Sequence, residues 1–227
     1  MTPAIRRILA ASMLLFPSLF MLVFALHFRR WSDFLTFRMH YTPAPPERVV
    51  AALIRLHNRY PLVHDPHVLG FLALPVVILC ALAIYAVGKE ARPMSSAVGL
   101  LITLSGVTYM GGVFGMWTAF YRGLGLVDAR YGEGATATFV ALTTPQGAFL
   151  LTTTLAKLTM VGLAWQALAL LGTRTVPGWA PVAIAAGAAL FLCFWDLDNW
   201  MFIGSVLLLA GFLPIRKRLL AGNEHPA

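Results

Sequence analysis

Apolar residues run along this chain in long blocks separated by short polar or basic stretches, the pattern of a polypeptide made of hydrophobic helices. Six blocks have the length of a bilayer-crossing helix: Ile8 to His27, Leu69 to Gly88, Ser96 to Tyr121, Gly147 to Leu171, Trp179 to Trp195 and Asn199 to Ile215. The last two are short. A helix of about 17 residues covers only about 25 Å, so the turn Trp195-Asp196-Leu197-Asp198-Asn199 is expected at the membrane boundary or slightly below it. A single long helix through this turn is the alternative, but it would set Asp196 and Asp198 in mid-helix, and a hairpin is preferred. The first block follows Arg6 and Arg7 as a signal peptide would. Its length, with no small-x-small cleavage site after it, reads as a retained first span.

Tryptophan supports the division, because its ring favours the membrane–water boundary. Trp31, Trp117, Trp179, Trp195 and Trp200 fall within a few residues of a block end, and Trp165 lies in the last two turns of the fourth. Pro17 and Pro75 are expected to bend the first two spans. The pattern thus predicts an all-α, polytopic membrane bundle of about six transmembrane helices forming one domain over residues 1–227.

The least membrane-like stretch is the loop Phe28 to Val68. Its first part, Trp31 to Tyr41, mixes aromatic and basic residues as a headgroup-level segment does. After the prolines at 43, 45 and 46, Glu47 to Arg59 puts Arg48, Arg55 and Arg59 on one helical face and Val49, Leu53 and Leu56 on another. An amphipathic interfacial helix is predicted, started near Pro46 and stopped by Pro61. The loop Arg122 to Gln146, with Gly123, Gly125, Gly132 and Gly134 followed by the mildly apolar stretch Ala135 to Thr144, either dips into the membrane or covers the bundle.

Composition agrees with the pattern. The 227 residues are 59% hydrophobic and 11% charged, and the mean hydropathy is +0.77. The formal charge of +8 raises nucleic acid as a partner, but the basic residues flank apolar runs, which points to the lipid bilayer instead. With six spans, the termini share a face with Arg6, Arg7, Lys89, Arg92, Arg174, Arg216, Lys217 and Arg218. The opposite face carries an equal number of arginines, most of them spread over one long loop. The compact positives of the terminal face favour cytoplasmic termini in a cell membrane. Cys80 and Cys193 lie inside apolar runs without a CxxC pair and read as packing residues.

Against this background Lys157 is the most unusual residue, flanked on both sides by apolar or hydroxyl-bearing residues. Intramembrane charges normally face the bundle interior or a wet cavity and pair with something, which makes a functional site the default hypothesis; snorkelling to the interface and a purely structural ion pair are the plain alternatives. Asp196 and Asp198, about 12 to 15 Å away along the span axis, are the expected partners. Thr152, Thr153, Thr154 and Thr159 either line a pocket with them or simply hold helices together. Thr108 and Tyr109 of the third block are further polar candidates.

His64-Asp65-Pro66-His67 offers two imidazoles and a carboxylate within four residues, a weak metal-ligand pattern that would need a further ligand such as His57 or His40. A b-type haem would require histidines facing one another inside spans, and only His27 approaches one, so the cofactor question stays open. Gly111 and Gly115, with Gly99 and Gly106, mark the third span for close helix packing, as the Ala- and Gly-rich fifth block does. These faces are also candidates for homo- or hetero-oligomer contacts. No P-loop, GxSxG or HExxH motif occurs. Three function classes remain: a small transporter or channel-like protein with a polar site at Lys157, an accessory membrane subunit, and an enzyme acting on a lipid or hydrophobic substrate near the histidine loop.

Overall fold

The computed structural model describes residues 1–26, 34, 45–59, 66–124, 132–143, 147–194 and 198–221. Among these residues there is no strand. The helices, in chain order, are α1 (Pro3–Ala25), α2 (Pro46–Arg59), α3 (Pro66–Gly88), α4 (Pro93–Leu124), α5 (Gly132–Thr143), α6 (Gly147–Ala156), α7 (Leu158–Leu168), α8 (Trp179–Cys193) and α9 (Asp198–Ala221). Their starts follow ordinary rules. Thr2 caps α1, its hydroxyl accepting the Ile5 amide at 3.4 Å, and a proline opens each of α1 to α4, where a missing N–H costs nothing.

Among the described residues four helices are long and apolar enough to cross a membrane: Pro3–Ala25, His67–Gly88, Pro93–Leu124 and Asp198–Ala221. Trp179–Cys193 is a shorter apolar helix. Pro17, Pro75 and Pro214 all lie inside their helices rather than ending them. Large apolar side chains also cover the outside: Leu72, Leu101 and Leu151 are each at least 60% exposed. Such a surface suits lipid and would be a liability in water.

The bundle closes on itself. α1 packs on α3 and α9, α3 on α4, α4 on α6 and α7, α7 on α8, and α8 on α9. α3 touches α7 and α9 as well, and this central place agrees with its being apolar all round. Contacting pairs give the directions. Gly88 meets Ser96 while Gly70 meets Phe114, so α3 and α4 are antiparallel; Gly187 meets Gly204 while Gly211 meets Ile184 and the Ala180 carbonyl, so α8 and α9 are too. The core between them is aromatic, with Phe16, Phe20 and Phe24 at one-turn spacing on α1 against Phe191 of α8 and Phe212 of α9.

Two expectations are refined. The single long helix through the aspartates is excluded, because α8 stops at Cys193, where Phe194 leaves helical geometry (φ −121°, ψ 39°), and Phe194 stacks on Trp200 across the turn at 4.7 Å. The glycine-rich loop contains a helix, α5, which packs on α2 and against the far end of α4. Val50, Ile54, Phe120, Leu124 and Phe139 form this small second core. At about 1.5 Å per residue α4 runs about 48 Å, beyond a hydrocarbon layer of about 30 Å, and its excess length carries the α2–α5 cap. The helix α2 forms where expected; among its described side chains Val50 and Ile54 are buried with Val49 beside them, while the side chains of Leu53 and Leu56, expected on the same apolar face, lie outside those described.

Candidate functional site at the Lys157 helix break

The fourth apolar block forms two helices. α6 ends at Ala156, α7 begins at Leu158, and Lys157 stands between them with right-handed dihedrals (φ −62°, ψ −21°). The break is a local tightening. The Lys157 amide donates to the Thr154 carbonyl at 3.2 Å, a three-residue step, while the Lys157 carbonyl accepts from both the Met160 amide at 3.0 Å and the Val161 amide at 3.2 Å, where the four-residue ladder resumes. Nothing in the sequence around Lys157 is a helix breaker, since neither Gly nor Pro lies within four residues of it.

Packing identifies what holds the break. Along α4, Gly112 meets Thr152, Gly106 meets Leu158 and Thr159, Gly99 meets Gln166, and Thr103 meets Gly162. As one helix ascends the other descends, in one continuous register across Lys157, so α6 and α7 together run antiparallel to α4. The closest approach is at Gly106, which abuts the backbone of Leu158 and Thr159, the first residues after the break. Lys157 itself is half-buried. It lies about 15 Å from the start of α6 and about 16 Å from the end of α7, at mid-length.

The neighbouring polar groups divide into satisfied and unsatisfied ones. The Thr153 hydroxyl donates to the Phe149 carbonyl at 2.9 Å, and Thr103 and Thr108 likewise donate to their own helix. Thr108 is exposed and Tyr109 is 40% exposed, so both are on the outside of the bundle. Thr159 and Gln166, in contrast, are buried on α7. The Thr159 hydroxyl and the Gln166 Oε1 make no hydrogen bond, while Gln166 Nε2 donates to the Ala81 carbonyl of α3 at 3.1 Å. Gln166 was not singled out in the sequence, although a lone amide within the apolar run Val161 to Leu171 is itself a signal of a helix–helix polar contact.

Of the other predicted site residues, Asp198 is half-buried in the first turn of α9, where the amide ends of the helix favour an acid, and Asp196 lies outside the described residues. His64 and Asp65 also lie outside them. His67 is described: its imidazole stacks on Trp117 (5.5 Å, 17°) and on Tyr121 (5.2 Å, 24°), an aromatic cluster that fastens the start of α3 to α4. Among the described residues no group of three His, Cys, Asp or Glu side chains is placed to hold a metal. Cys80 is buried and Cys193 exposed, both as free thiols. No protein-family model, curated protein or solved structure matches the chain.

Proposed function

We propose that the chain is a multi-pass cell-membrane protein of the small-transporter class, with six spans, cytoplasmic termini and a proton-coupling site at Lys157. The observation that carries this reading is the coincidence of the intramembrane lysine with the helix break. Transporters place their substrate and coupling-ion sites at the midplane, on discontinuous helices whose local irregularity exposes backbone groups. Supporting this reading, Lys157 stands between α6 and α7 at the middle of the fourth apolar block and is half-buried. Asp196 and Asp198 are the proposed carboxylate partners, and the buried Thr159 hydroxyl beside the break is a further polar group for a proton path. Gly106 supports the site by letting α4 approach the break.

A role as an accessory membrane subunit is the second reading. Its support is Gly115, which leaves open space where Gly99 and Gly106 are covered by α7.

The transport reading is tested by reconstituting the purified chain into proteoliposomes loaded with a pH-sensitive dye and imposing a potassium diffusion potential with valinomycin. Proton entry above that of empty vesicles, returned to the empty-vesicle rate by Lys157→Met, is the expected result. Wild-type flux equal to empty vesicles, or unchanged flux in the variant, removes the proposal.

A further inference from the structure

At the end of the bundle where the chain terminates, four separate segments enclose a cavity of about 330 Å³. Arg6 comes from the first turns of α1, Lys89 and Glu90 from the turn between α3 and α4, Thr175 from the connection before α8, and Arg218 from the last turns of α9. Residues far apart in sequence thus bring three cations and a hydroxyl to one opening, with the buried Val87 and Leu219 also lining it. Among the described residues none of the three cations is ion-paired, even though Glu90 lines the same space.

We infer that this cavity is a binding site for a phosphate anion, carried by an acidic phospholipid headgroup or free in solution. Guanidinium groups present paired N–H donors that match phosphate oxygens, and a lysine adds a mobile point charge. Clustering three such groups without partners leaves a local excess of positive charge that an anion relieves. The location fits the lipid source. The cavity lies where apolar helix ends meet their basic flanks, which in a bilayer would be the headgroup level, and its lining includes the apolar Val87 and Leu219. If the termini are cytoplasmic, this end also faces the leaflet that carries anionic lipid. The inference does not depend on Lys157, which lies about half a span away.

Native mass spectrometry of the full chain released from neutral detergent tests it, with phosphatidylglycerol, phosphatidylcholine of the same acyl chains, and inorganic phosphate as probes. Retention of one phosphatidylglycerol with roughly tenfold or greater preference over phosphatidylcholine is expected. Loss of that preference should follow Arg6→Gln/Lys89→Gln/Arg218→Gln. The comparison is Arg7→Gln/Arg92→Gln/Lys217→Gln, which removes equal charge at the same end from residues that do not line the cavity and should leave the preference within about twofold. Competition by millimolar phosphate identifies the anion alone as sufficient; retention of lipid despite phosphate identifies the headgroup with its chains. Equal binding of both lipids with no phosphate bound, or equal loss in the two triple variants, overturns the inference. Should the cavity variant fold poorly, Arg218→Gln alone is read against Lys217→Gln.

Discussion

Gly106 on α4 lies against Thr159 on α7 so closely that a β-carbon at Gly106 would overlap the Thr159 amide nitrogen. The obstacle is backbone, so no rotamer change can make room. The α4–α7 seam continues from this contact in one direction, since Gly162 against Thr103 and Gly99 against Gln166 repeat it about one and two turns further toward the start of α4.

Gly106→Ala is therefore expected to destabilise the bundle by about 1 to 3 kcal/mol, the range for overpacking a tight interior. It should also alter the break at Lys157, because the contact falls on the residues that follow it. Gly115→Ala, made into open space on the same helix, should stay within about 0.5 kcal/mol of the wild type. Unfolding of both variants in mixed micelles measures the difference, and equal stabilities would refute the seam as drawn.

Gln166 invites a different substitution. Its amide contributes one hydrogen bond to the Ala81 carbonyl but leaves its own oxygen buried and unsatisfied. Interhelical hydrogen bonds in membrane bundles average only about 0.6 kcal/mol, less than the roughly 1 to 3 kcal/mol that an orphaned buried polar atom costs. Gln166→Leu keeps most of the volume and removes the orphan, so the expected outcome is unchanged or higher thermal stability. Gln166→Ala opens a void and should lose about 2 kcal/mol or more. A marked loss of stability in Gln166→Leu would mean that the amide oxygen is bound to something, such as an ordered water.

These contacts show what the sequence could and could not convey. Apolar runs located α1, α3, α4, α8 and α9 because burial in lipid requires them, and proline and amphipathic spacing located α2. The break at Lys157 was not legible. Lysine is a good helix former and its neighbours are ordinary; the irregularity is associated with Gly106 pressing from another helix, 51 positions away in the chain. α5 was obscured by Gly132 and Gly134 at its start, although its contacts with α2 and α4 stabilise it there. Arg6, Lys89 and Arg218 were legible as one face, since span counting places them together. Their convergence on one cavity depends on how α1, α3 and α9 pack, which no local pattern encodes.

The role of Lys157 is the most consequential prediction. An ammonium at mid-span costs at least about 2.5 kcal/mol even on the lenient insertion scale, and a carboxylate at the α8–α9 turn would relieve it. Lys157 is about 15 Å from the start of α6, and a flexible four-carbon stem extended toward that end would cover part of the distance. If Asp196 or Asp198 is the partner, Lys157→Met leaves an acid uncompensated and should destabilise the protein by about 1 to 3 kcal/mol. Asp→Asn at the partner alone should cost a comparable amount. The double variant should then recover at least about 1 kcal/mol relative to the sum of the single losses, while the same cycle with the other aspartate should be additive within about 0.5 kcal/mol. Unfolding in mixed micelles, with each variant measured against the same wild-type preparation, gives the coupling directly. Additivity in both cycles would remove the ion pair and leave Lys157 without the carboxylate that a proton-coupling role requires.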